Sequence, residues 1–163
     1  MNGSVTKVAL KYGLIITVVI AVWVIADHFV LHLSRPGSGL AVLTPIFFNL
    51  VQLVVLFLGI RAKRSELRGA LNAKQGVISG LAISLVYGLS ACLFFLALYG
   101  ILGPKLLENE PASSGNGQPA STVLLVSSAG LLLGALVGGL IYSTVISFTL
   151  RTPSAGPDPS RRR

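Results

Sequence analysis

The chain has 163 residues, of which 53% are hydrophobic and only 11% charged, and its mean hydropathy is +0.80. Soluble domains need roughly 25% charged residues to cover their surface, so a soluble globular fold is excluded and lipid must cover much of this one. The formal net charge of +8 would suit nucleic acid in a soluble protein. Here the basic residues flank hydrophobic runs as a membrane chain requires, and no nucleic-acid partner is expected.

Four apolar runs are long enough to cross about 30 Å of hydrocarbon at 1.5 Å per residue. They are predicted at Val8–Leu31, Leu40–Ile60, Val77–Leu102 and Val123–Leu150. The fold class they imply is all-α, a polytopic antiparallel bundle of four transmembrane helices occupying residues 1–151. Lys7 and Lys11 precede the first run and give it the look of a signal peptide, with Val24 and Ala26 before a cleavage point at Asp27. Apolar character resumes at Phe29, Val30 and Leu31, and the segment is long for such a leader, so it is expected to stay as a helix. Arg35-Pro36-Gly37 marks a tight turn, Arg61 to Gln75 a basic link that prolongs a helix, and Glu108 to Thr122 a Gly/Pro/Ser-rich loop. Residues 152–163 read as a disordered basic tail with Pro153, Pro157 and Pro159.

Orientation follows from the basic residues. Eleven of the 13 (Lys7, Lys11, Arg61, Lys63, Arg64, Arg68, Lys74, Arg151 and Arg161 to Arg163) fall on one side, and only Arg35 and Lys105 on the other. Positive loops stay in the cytoplasm, which predicts both termini there. Arg161 to Arg163 would also attract anionic lipid headgroups, at about 1 kcal/mol per charge.

Small residues recur every fourth position inside the third run, at Gly76, Gly80, Ser84, Gly88 and Cys92, and inside the fourth, at Gly130, Gly134 and Gly138. Positions four apart share a helix face. Without bulky side chains, backbones approach closely and dispersion holds helices that hydrophobicity cannot hold in lipid. The two stripes predict an antiparallel pair at the tight centre of the bundle; a homodimer seam is the alternative.

Polar residues inside the runs are few. Asn49 and Gln52 lie near mid-bilayer, counting back from Arg61, and are expected to bond Ser84, Tyr87 or Ser90 as interhelical glue, or else to line a polar site. Asp27 lies 16 residues after Lys11, about 24 Å up the helix, which predicts a place near the outer headgroups. His28 and His32 share its end of the helix and could join it as a weak metal or proton site, but three ligands on one helix with no partner cluster fit interfacial polar residues as well. Trp23 and Tyr12 are read as interfacial anchors. Cys92 is the only cysteine, so an internal disulfide or a disulfide-shuttling role is excluded. Histidines on several helices, as a di-haem site needs, are missing. No catalytic set, P-loop or HExxH spacing can be assembled; no enzyme activity, metal or cofactor is expected.

The stretch Ala9-Leu10-Lys11-Tyr12-Gly13-Leu14-Ile15, the basic link Gly59-Ile60-Arg61-Ala62-Lys63-Arg64 onward to Gly69, Gln75-Gly76 and Gly103-Pro104 together resemble a bacterial family of small four-helix membrane proteins, the four-one-nine-nine group of domains of unknown function. Gly69 leads here into Ala70-Leu71-Asn72, where that family usually has an aromatic-containing stretch. The resemblance implies a bacterial inner-membrane location and supplies no catalytic residue. The sequence thus points to a structural or interaction protein, with lipid, a membrane-protein partner or a second copy as what it binds. A small transporter or channel subunit is the alternative.

Overall fold

The computed structural model describes residues 3–31, 42–103 and 119–150. Helix α1 spans Gly3–Ala26 and runs without a break into a π-helical segment, Asp27–Leu31; α2 is Leu43–Glu66, α3 Ala73–Leu102 and α4 Ala120–Leu150. All four are long and apolar enough to cross a membrane, and the chain is an all-α, multi-pass membrane protein. The turn expected at Arg35 to Gly37, most of the loop after Glu108, the basic tail and His32 lie outside the described residues.

Hydropathy located the helices and their ends at Leu31, Leu102 and Leu150, but not the other ends. α1 begins before Val8, α2 continues past Ile60 to Glu66, α3 begins at Ala73 instead of Val77, and α4 starts inside the stretch expected to be loop. The added residues are rich in Lys, Arg, Gln and Ala, which sustain a helix well outside hydrocarbon. The charges mark a membrane edge, whereas the helix ends where capping ends it. At 30 and 31 residues, α3 and α4 extend to roughly 45 Å, so they tilt or emerge from a ~30 Å core.

The connection from α2 to α3 shows such capping. Gly69 N–H donates to Arg64 O at 2.9 Å and Arg68 N–H to Ser65 O at 3.0 Å, the paired bonds that close a helix through a left-handed residue. That residue is Arg68, at φ +52°, and Gly69 follows at +88°. Asn72 then starts α3: its Oδ1 accepts from Lys74 N–H, while Gln75 Oε1 accepts from the Asn72 N–H, each at 3.2 Å. Just before the turn, buried Lys63 pairs with the exposed carboxylate of Glu66 at 3.0 Å.

Neighbour contacts fix the topology. Tyr12 meets Gly59 while Trp23 reaches Thr44, so α1 and α2 are antiparallel. Gly13 meets Val86 while Thr17 meets Ser90, so α1 and α3 are parallel. The main core joins Ile16, Leu56, Ile60, Leu71 and Ile83, all essentially inaccessible. A second, smaller core holds only Phe95 and Val123 with partly buried neighbours from α3 and α4. The bundle is therefore closed by four helices toward the α2–α3 turn and by fewer at its far end. Trp23 stacks on Phe47 there, with ring centroids 4.1 Å apart.

Because the Asn72 side chain accepts from an N-terminal donor of α3, Asn72→Ala should lower stability by about 1 kcal/mol. Thermal unfolding in detergent micelles would show it; an unchanged midpoint would mean that the headgroup region caps α3 equally well.

Candidate functional site

Small residues bring α3 and α4 into close contact. A Cβ added at Gly76 would strike Ser147, one at Gly80 would strike Ser143, and one at Gly139 would strike Ser84. At Gly88 a Cβ would lie 3.3 Å from that of Ala135. The pairs 76/147, 80/143, 84/139 and 88/135 descend in step, so two antiparallel helices are zipped over four successive layers. Ser84 and Ser147 bury hydroxyls that have no hydrogen-bond partner among the described residues. Small size is thus what they contribute here, since dispersion at short range is the force available between helices in lipid.

The stripe expected on α3 is the one that packs, whereas the stripe on α4 is not. Ala135, Gly139, Ser143 and Ser147 form its seam face. Gly130 and Gly134 have nothing within 4 Å of an added Cβ, and Gly138 faces Gln52 of α2 instead, 3.2 Å from its Oε1. Both α4 stripes have a four-residue period and lie one residue, or about 100°, apart around the helix. Glycine content favoured one, and the serines complementary to the glycines of α3 decided for the other.

The bare face of α4 opens a cleft. Gly130 and Gly134 form one side of a cavity of about 620 Å³, with Phe48, Gln52 and Tyr87 among the residues opposite. Gln52 is 5% exposed and donates from Nε2 to the backbone oxygen of Ala135 at 2.9 Å. Its partner is therefore α4, not the Ser84, Tyr87 or Ser90 expected. Asn49 is exposed on the same helix; it donates to Pro45 O and accepts from the Tyr142 hydroxyl, each at 2.8 Å. Tyr87 is 7% exposed and its hydroxyl makes no hydrogen bond among the described residues. Among the described residues, no charged side chain lines the cleft.

Other polar contacts tie α1 and α3. The Ser90 and Thr17 hydroxyls share a hydrogen bond at 2.6 Å, and each also lies within reach of a carbonyl of its own helix, Val86 O at 2.6 Å and Gly13 O at 3.1 Å. Cys92 Sγ donates to Ser128 O of α4 at 3.2 Å. Thr17 and Ser128 carried no distinguishing sequence signal; only their helical phase relative to Ser90 and Cys92 could have revealed them.

Asp27, at the opposite end of α1 from Lys7 and Lys11, is buried, at 8% exposed. Ile16, Ile20, Val24 and Asp27 lie at helical spacing on the inward face of α1, and this phase is the signal that depth counting ignored. His28, the next residue, is exposed and meets only Phe29 edge-on, at 4.9 Å. Asp27 and His28 therefore diverge. No group of three metal-ligating side chains gathers among the described residues.

Residues 11–152 match the family described as Protein of unknown function (DUF4199), and the chain belongs to that family. No curated protein and no solved structure matches it.

Two alanine substitutions separate the faces of α4. Gly139→Ala drives a methyl into Ser84 and should cost about 1–3 kcal/mol. Gly134→Ala points into open space and should be neutral or stabilise by up to about 1 kcal/mol, the helix-propensity difference. Unfolding midpoints of the pair in nanodiscs check this, and equal losses would contradict the assigned seam.

Proposed function

We propose that this member of the family is a non-catalytic integral membrane protein that acts by binding inside the bilayer, as a structural or accessory component holding lipid, a membrane-protein partner or a second copy of itself. The observation that supports this reading is the contrast within α4: one face is zipped onto α3 over four layers, and the neighbouring face is left open beside α2. A zipped pair of helices beside an open lateral cleft offers a place for a partner to bind. The excess of basic residues at one end supports an orientation with both termini in the cytoplasm. The family resemblance supports the bacterial inner membrane. Arg161 to Arg163 would add contact with anionic headgroups.

One observation favours a second reading, a small transporter. Asp27 is a buried carboxylate at the start of a π-helical segment, and such segments recur at functional sites. Ionisable groups inside membrane helices mark proton and ion paths.

Proton flux into proteoliposomes, followed with a pH-sensitive dye under an imposed gradient, decides between them. The accessory reading predicts the same slow leak for the wild type, Asp27→Asn and protein-free vesicles. A flux present in the wild type and lost in Asp27→Asn would replace it with transport.

A further inference from the structure

We infer that the cleft between α2 and α4 is a binding site for an uncharged lipid with a hydroxyl or carbonyl head that resides in the bilayer interior. The inference rests on the binding role just proposed and names its ligand class.

Depth is the first argument. Gln52 lies nine residues into α2 from Leu43, about 14 Å along the axis, so the polar groups of the cleft sit near the middle of the hydrocarbon. A phospholipid keeps its charged head at the surface, and drawing a charge to this depth is expensive. A lipid whose only polar group is a neutral oxygen partitions to this level with no such penalty.

The second argument is the state of the buried polar groups. Buried hydroxyls and amides are almost always hydrogen-bonded, and a lasting exception calls for an explanation. Tyr87, more than nine-tenths buried, contributes to the wall of the cleft with a hydroxyl that bonds nothing among the described residues. Gln52 is equally buried; its Nε2 serves Ala135, while its Oε1 accepts no hydrogen bond among the described residues. Together they offer one donor and one acceptor. A ligand hydroxyl would accept from Tyr87 and donate to Gln52, and a ligand carbonyl would accept from Tyr87.

Shape and charge agree. The cavity of about 620 Å³ falls in the range of small-molecule sites. Phe48, Val126 and Leu131 give it apolar walls, and Gly130 and Gly134 leave a slot for a chain where side chains would otherwise stand. With no charge among the described residues of the lining, none of them compensates an ionic head.

The test uses the full chain in phosphatidylcholine–phosphatidylglycerol nanodiscs, offered separately a polyisoprenoid alcohol, a long-tailed quinone and a diglyceride, with retention read by native mass spectrometry. The wild type should retain at least one of the three in one-to-one ratio in preference to phospholipid, and which one is retained identifies the head. Gly134→Leu fills the slot and should abolish retention with an unchanged unfolding midpoint. Tyr87→Phe, which preserves shape, should weaken it about fivefold. Should Gly134→Leu misfold, Gly130→Leu and Tyr87→Phe carry the same test. Retention of none of the probes, retention unaffected by these substitutions, or a wild-type dimer that Gly134→Leu dissolves would each overturn the proposal. Failure here with silent proteoliposomes removes the lipid alone. An Asp27-dependent flux removes the accessory role and leaves a retained lipid standing.

Discussion

The structure depends on the near absence of side chains along the line where α3 meets α4. In water, two apolar helices associate because they exclude solvent; between lipid tails that drive vanishes, and short-range packing must replace it. Gly76, Gly80 and Gly88 on one helix and Gly139 on the other let serine and alanine side chains rest almost on the opposite backbone. Each layer adds only a few dispersion contacts, but four consecutive layers share one register, and a shift of one residue would spoil all of them. The remaining helices join this pair through ordinary apolar contacts and a few hydrogen bonds, among them Thr17 to Ser90 and Gln52 to Ala135.

A consequence follows for the rest of α4. Turning Ala135, Gly139, Ser143 and Ser147 onto α3 turns Gly130 and Gly134 toward α2. No atom of α2 comes within 4 Å of a Cβ built at either glycine, so the space beside them stays open. Gln52 spans the gap at one level and Asn49 with Tyr142 at another, which leaves a cavity with a polar floor and apolar walls. The same register that secures the bundle thus creates its one well-defined hollow with buried polar groups among the described residues, and the proposed binding role grows from this coupling.

Much of this was legible in the residues. Four apolar runs gave the number of helices, and Gly76, Gly80, Ser84 and Gly88 named the packing face of α3. The choice between two overlapping stripes on α4 was not legible, because Gly-xxx-Gly and small-xxx-small patterns one residue apart satisfy the same periodicity. Only the pairing of a serine against each facing glycine separates them, and that requires the register. Asp27 was judged by its depth, whereas its burial follows from its helical phase with Ile16 and Ile20. Asn49 and Gln52 were recognised as interhelical polar groups, but their partners were assigned to α3, since sequence spacing does not tell which neighbour a helix face meets. The helix ends at Leu31, Leu102 and Leu150 were legible, but those around the α2–α3 turn were not, since hydropathy reports the lipid boundary and caps such as Asn72 and the Arg68–Gly69 turn lie beyond it.

The register of α3 against α4 is the central claim, and oxidative cross-linking tests it most directly. In a Cys92→Ala background, Gly88→Cys with Ala135→Cys brings two Cβ atoms to about the 3.5–4.5 Å that a disulfide spans, starting from 3.3 Å. Gly88→Cys with Gly134→Cys moves one thiol around the helix into the cleft, where nothing lies within 4 Å of its Cβ. Oxidation in native membranes should link the first pair readily and leave the second reduced. Efficient linking of the second pair with none of the first would show that the glycine stripe of α4 forms the seam, and would close the cleft on which the functional reading stands.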